Sequence, residues 1–130
     1  MARDSINVLK PVLDNTESVE TAIVTKQAVT QANGIKIANA LDNKNNSLQI
    51  FVENTANTDS SLTLKAGNNY PNSMLGDLTV TLTKSKITAF ILEDISRFEN
   101  RDGSILIDFV SGFTGNIWAV AKRAGLKPVV

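Results

Sequence analysis

The chain has 130 residues, enough for one domain with a single core and too few for two. Its 13 Lys and Arg balance 13 Asp and Glu and it has no His, so it has no broad basic field to draw in nucleic acid or an anionic membrane. Cys is absent as well, which excludes thiolate catalysis, thiolate zinc sites and disulfide stapling and, with His missing, leaves no imidazole base and no ordinary zinc or copper site.

No apolar run approaches the ~20 residues of a membrane span, and Met1 to Lys10 lack the apolar stretch of a signal peptide. The expectation is a soluble protein that stays where it is made or leaves inside a larger particle. The composition holds 14 Asn, 12 Thr and 10 Ser. Asn and Ser favour turns by bonding their own backbone, and Thr favours strands through its stiff χ1, so the mixture predicts many short strands with tight connections.

Residues 1–20 carry apolar positions at Ile6, Val8, Leu9, Val12 and Leu13, interrupted by Pro11 and sustaining neither a helical nor a strand period. They read either as a frayed terminus or as an extended arm, mobile when free, whose apolar residues dock on a neighbouring subunit; in both cases a chain begun near Glu20 is expected to fold almost unchanged. Short strand signals follow at Thr21–Thr25, Ala28–Thr30 and Gly34–Ala38, with Asn33-Gly34 as a turn marker. Ser47–Asn54 is the clearest strand of this half, with Leu48, Ile50 and Val52 on one face. The loop Thr55–Asp59 and the alternating Ser61–Lys65 predict an antiparallel pair with that strand.

An irregular segment, Ala66–Ser73, precedes a clean alternation at Asp77–Thr83 with Leu78, Val80 and Leu82 on one side. Ile87–Leu92 is more continuously apolar and predicts burial on both faces. Glu93–Asn100 suits a short helical turn in which Ile95 and Phe98 share a side and close one end of the core. Ser104–Phe109 and Asn116–Val120 complete eight or nine strands. The predicted core is Ile50, Val52, Leu62, Leu64, Leu78, Val80, Leu82, Ile87, Ile91, Phe98, Ile105, Ile107 and Ile117. The fold expected is all-β: one antiparallel β-sandwich or barrel, Ig-like or jelly-roll-like, spanning 21–122, with the arm at 1–20 and a tail at 123–130.

The chemistry-bearing constellations are weak. Lys84-Ser85-Lys86 offers a Ser beside Lys, but it falls between two strands where a polar turn is expected. Glu93, Asp94, Glu99 and Asp102 include possible carboxylate pairs, yet Arg97 and Arg101 stand ready as simple ion-pair partners. The Asn-rich loop Asp42–Asn46 lacks the Gly and closing Glu of a calcium loop and carries Lys44 among the supposed ligands. No Gly lies in a phosphate-cradling strand-to-helix junction. Tyr70-Pro71 and Trp118 are candidate interface aromatics; with so few aromatics and no basic stripe interleaved, a nucleic-acid platform is not indicated. The reading is a protein without catalytic, cofactor-binding or metal-binding residues and without a cofactor.

From about Gln31 to Ala121 the sequence carries NGIKIANAL, SLQIFVENT, AGNNYPNSMLGDLTVTL and ITAFILEDISRFENRDGSILIDFVSGFTGNIWAV. In this order these segments resemble a family of small virion proteins of tailed bacteriophages, of the head decoration or cement type. The resemblance implies a structural protein that binds the outer surface of the assembled capsid and stabilises it against internal DNA pressure. Its implied partners are the major capsid protein and neighbouring copies of itself, a trimer among the options, with neither nucleic acid nor membrane. Its implied location is the virion head surface, reached from the host cytoplasm during assembly. The interface candidates are Ile6, Val8, Leu9, Val12, Leu13, Tyr70, Pro71 and Trp118. A tail or baseplate subunit is the alternative within this class, and a carbohydrate-binding or adhesion module the alternative outside it.

Overall fold

In the computed structural model, which describes residues 3–9, 12–14, 19–21, 24–38, 46–68, 72–92 and 97–123, the alternating runs become strands of a β-sandwich. The strands are β1 (Asp4–Asn7), β2 (Val12–Asp14), β3 (Val19–Thr21), β4 (Gln27–Ala28), β5 (Ile35–Ala38), β6 (Asn46–Asn54), β7 (Ser60–Leu64), β8 (Leu78–Leu82), β9 (Ile87–Leu92), β10 (Ile105–Phe109) and β11 (Gly115–Arg123). One sheet runs β1-β5-β10-β7-β8, the other β4-β11-β6-β9, and β2 and β3 form a separate antiparallel pair. All neighbours are antiparallel except β1 beside β5.

The core lies between the sheets. Ile35, Ile37, Leu62, Leu64, Ile105 and Ile107 face it from the five-stranded sheet, and Leu48, Ile50, Val52, Ile117 and Ala119 from the four-stranded one. Each is the buried half of a period-two alternation, and each fully buried Ile or Leu contributes roughly 1.5 to 3 kcal/mol. Phe98 and Phe113 are buried as well, with Phe113 stacked on Phe109. Of the predicted core, Leu78, Ile87 and Ile91 are instead exposed, and Val80 is only partly buried against it. Leu78 and Val80 lie on β8, an outermost strand whose side chains are covered from fewer sides, whereas Ile87 and Ile91 alternate with the inward Phe90 and Leu92 and so face away from the core.

The expected pairing of the strand at 47–54 with that at 61–65 does not form: β6 and β7 lie in opposite sheets. Both sets of inward residues, Leu48–Val52 and Leu62–Leu64, still reach the same core, but from facing layers. The corner is held by Asn54, whose side chain is 1% exposed. Its Nδ2 donates to Thr58 O at 3.1 Å and to Leu82 O at 3.2 Å, while its Oδ1 accepts from Ala56 N at 3.0 Å. An Asx-type bond thus turns the chain while the same amide ties β6 to the end of β8.

A 3₁₀ turn forms at Asn72–Leu75, in the segment read as irregular, while of the short helical turn expected at Ile95–Phe98 only Arg97 and Phe98 are among the described residues, where the chain turns. Ile95 lies outside the described residues. Arg97 organises this corner, donating to the carbonyls of Leu75 at 3.2 Å, Gly76 at 2.9 Å and Asp77 at 3.1 Å. Gly67 meets the same region so closely that a Cβ there would fall 1.8 Å from the Glu99 carbonyl oxygen. Only the side-chain-free residue allows this approach of two backbones.

The start of the chain differs from a free arm. β1 pairs along its length with β5, from Asp4 opposite Ile35 to Asn7 opposite Ala38, and Ile6 belongs to the core at 7% exposure. The Arg3 guanidinium donates to Ile107 O at 2.9 Å and forms an ion pair with Asp108, and Leu9 N donates to Ala119 O at 2.8 Å. Two inward-facing residues before a proline are too few to show a period, and the partner strand lies some thirty residues further on. At the other end β11 continues to Arg123, one residue past the predicted domain limit.

Candidate interaction face

The four-stranded sheet turns Leu48, Ile50 and Val52 of β6 inward, so strand alternation sends Gln49, Phe51 and Glu53 to its outer face. Register then builds three rows across that face. Asn116, Glu53 and Ile87 form the first, Trp118, Phe51 and Ala89 the second, and Val120, Gln49 and Ile91 the third. The Phe51 and Trp118 rings stack at 5.5 Å between centroids with 8° between planes. Ile87 and Ile91 are 53% and 55% exposed.

One corner of the face is polar. Glu53 Oε1 accepts from Asn116 Nδ2 at 2.9 Å and from Lys26 Nζ at 3.2 Å, and Lys26 Nζ also lies 5.6 Å from the Trp118 ring centroid. The Asn116 bond, then the Lys26 contact, hold the Glu53 carboxyl below its usual range, so it stays ionised. Apart from Gln49, the remainder is apolar: Phe51, Trp118, Ala89, Ile87, Ile91 and Val120.

The residues singled out in the sequence disperse. Ile6 is core, Val8 packs partly buried against it, and Leu9 is half-buried beside Val120 through an isolated bridge. Val12 and Leu13 lie in β2, opposite Thr21 and Glu20. Tyr70 and Pro71 lie outside the described residues, as do Glu93, Asp94 and the loop 42–45. Trp118 alone stands on the outer face. Phe51, Ile87 and Ile91, its neighbours there, were missed as surface residues; the alternation of Leu48, Ile50 and Val52 already places Phe51 opposite to them.

Lys84-Ser85-Lys86 forms the turn between β8 and β9. Ser85 has a φ of 57°, and its N donates to Ala56 O at 3.2 Å. A cleft of about 250 Å³ opens between β1, β4 and β11, lined by Ser5, Asn7, Thr25, Gln27 and Trp118 among others. Among the described residues no group of three or more acidic side chains gathers as a metal site would require, and no helix is long and apolar enough to cross a membrane.

No family model, curated protein or solved structure matches the chain. What it does must be argued from the face itself.

Two exposed carboxylates sit at loop corners. Asp77 is held low by the Ala66 N–H, which donates to it at 2.6 Å, and by Lys65 at 2.9 Å. Asp102 is held low by the Ser104 hydroxyl at 2.6 Å, then by the Ser104 N–H and Lys36. A carboxyl lowered by folding contributes stability that is present above its unfolded pKa, about 4, and is lost as pH falls through the folded value. The thermal midpoint is therefore expected to fall as pH drops below about 4, and less steeply in Asp77→Asn. Thermal melts across that range check it; parallel acid limbs in the two proteins would remove Asp77 as a contributor.

Proposed function

We propose that this is a structural docking domain without catalytic activity, and that its partner is the outer surface of a tailed-phage capsid, which it stabilises as a decoration protein. The observation that carries the docking part is the apolar outer face around the Phe51–Trp118 stack. Flat aromatic and aliphatic side chains with a polar corner are the composition of a protein–protein contact, whereas reaction chemistry needs convergent polar groups in a cleft. The resemblance over residues 31–121 supplies the capsid. The lowered carboxylates Glu53, Asp77 and Asp102 support a role other than proton donation, because each is held in its ionised form. Major capsid protein is the partner on this reading, the virion head surface the location, and neither nucleic acid nor membrane takes part.

The test uses Phe51→Lys and Trp118→Lys with purified, DNA-filled heads lacking the protein. Both variants should fold, since these side chains point away from the core, and both should sediment with heads at least about tenfold more weakly than the parent. Equal binding by folded variants would overturn the face as the contact, and absence of head binding by the parent would overturn the capsid.

A second reading, a carbohydrate-binding module, is favoured by the amides and hydroxyls of Ser5, Asn7, Thr25 and Gln27 beside Trp118. At about 250 Å³ that cleft is smaller than an ordinary ligand pocket of ~300 to 1,000 Å³. Glycan binding abolished by Asn7→Ala and Gln27→Ala would establish it in place of capsid docking.

A further inference from the structure

We infer that β9 pairs antiparallel with β9 of a second copy of this chain, joining the two four-stranded sheets across a two-fold axis. This goes beyond the docking face, because it concerns the strand's edge and needs no capsid. β9 is the last strand of its sheet, bonded to β6 on one side, and among the described residues nothing pairs with the other. Its sequence, Ile-Thr-Ala-Phe-Ile-Leu, contains no charge and no proline. Open edges are ordinarily blunted by a charge, a proline or a bulge, and β9 has none of these within its length.

The pairing has one favoured register, and the hydrogen-bond pattern selects it. Asn54 N donates to Lys86 O at 3.0 Å, so Lys86 and every second residue after it turn their backbone groups toward β6. Ile87, Ala89 and Ile91 therefore turn their N–H and C=O groups to the open side. A two-fold axis through Ala89 sets Ala89 opposite Ala89 and Ile87 opposite Ile91 of the second copy. Every outward donor and acceptor of the strand then finds a partner. A shift by two residues in either direction leaves part of this set unpaired, and a shift by one places inward side chains opposite outward ones.

The side chains and charges agree with that register. Ile87 and Ile91, half exposed in the single chain, become direct cross-strand neighbours, and the small Ala89 sits on the axis where two large residues would crowd. Lys84 and Lys86 precede the strand and Glu93-Asp94 follow it in the sequence. Antiparallel pairing therefore runs the basic flank of one copy toward the acidic flank of the other. β8, an outer strand of the five-stranded sheet, presents Thr79 and Thr81 on its exposed side and gains less apolar burial.

The chain has no Cys, so a single introduced cysteine reports the register. Opposed residues of this kind have Cα atoms about 5.5 Å apart, within disulfide reach. Ala89→Cys is expected to oxidise to a covalent dimer at least about tenfold faster than Thr81→Cys on β8, at equal concentration and with melts like the parent's. Without cysteine, the parent should show concentration-dependent dimerisation in sedimentation between about 1 µM and 1 mM, and the charge reversal Lys84→Glu should weaken it. Restoration of the dimer by Lys84→Glu with Asp94→Lys supports the antiparallel pairing. A parent that is monomeric throughout that range, or Ala89→Cys cross-linking no faster than Thr81→Cys, would overturn the proposal. These measurements contain no heads, so a monomer that still binds heads sinks the β9 pairing alone, and a dimer that ignores heads sinks the capsid reading alone.

Discussion

Removing residues 1–9 is expected to lower the thermal midpoint by roughly 10 to 20 °C, where an arm would have cost almost nothing. The loss has three parts. The side chain of Ile6, 7% exposed in the core, accounts for roughly 2 to 4 kcal/mol, the usual cost of truncating a buried Ile. The Arg3 bond to Ile107 O and the Leu9 bond to Ala119 O add roughly 1 kcal/mol each. Loss of β1 also opens the edge of β5, whose Ile35 and Ile37 are fully buried beneath it. Ile6→Ala alone separates the packing from the pairing, and should account for about half of the shift. Calorimetry of the two proteins decides it, and an unchanged midpoint for the shortened chain would return residues 1–9 to the status of an arm.

Replacing Asn54 should destabilise the domain by roughly 2 to 4 kcal/mol, an unusual cost for a residue next to a loop. In Asn54→Leu the carbonyls of Leu82, enclosed at this corner, and of Thr58 lose their donor, and the Ala56 N–H loses its acceptor. A buried polar group left unpaired costs about 1 to 3 kcal/mol. Asn54→Asp should do no better near neutral pH, because a carboxylate can accept from Ala56 N but meets the carbonyls of Thr58 and Leu82 as a second acceptor. Denaturant melts of both variants are the measurement. A change below about 0.5 kcal/mol in Asn54→Leu would mean that the corner holds without its amide.

These two sites mark where the sequence was legible and where it was not. The strands β6, β7, β8, β10 and β11 were readable because each alternates over five or more residues, and their inward sides were assigned correctly at Ile50, Val52, Leu62, Leu64, Leu82, Ile105, Ile107 and Ile117. Sheet membership was not. A five-residue loop after Asn54 suits a hairpin, and the contact that sends the chain to the opposite sheet instead, the Asn54 amide on Leu82, joins residues 28 apart. β9 was misread for a different reason. An apolar side chain says that burial is favourable, not which molecule supplies the cover, so Ile87 and Ile91 read as core when they stand on an open face. Of the outer face, Trp118 was found and Phe51 was present in the alternation of β6 without being used.

The sheet order also has a kinetic meaning. Among the described residues, β7 and β8 alone of the sandwich strands are chain-adjacent and paired with each other; β1 waits for β5, β4 for β11, and β6 for β9 and β11. The middle strand of the five-stranded sheet, β10, comes after residue 104, and β11, which zips to β6 along nine residues, comes after that. Loops of this span must close before their contacts reward them, which places folding in the millisecond-to-second range of sandwich proteins. On the ribosome, about four fifths of the chain must emerge before either sheet has its centre. Until then the β7–β8 pair is, among the described strands, the sandwich element that forms from the most local contacts, and the apolar β9 can pair only with a β6 whose other edge still lacks β11.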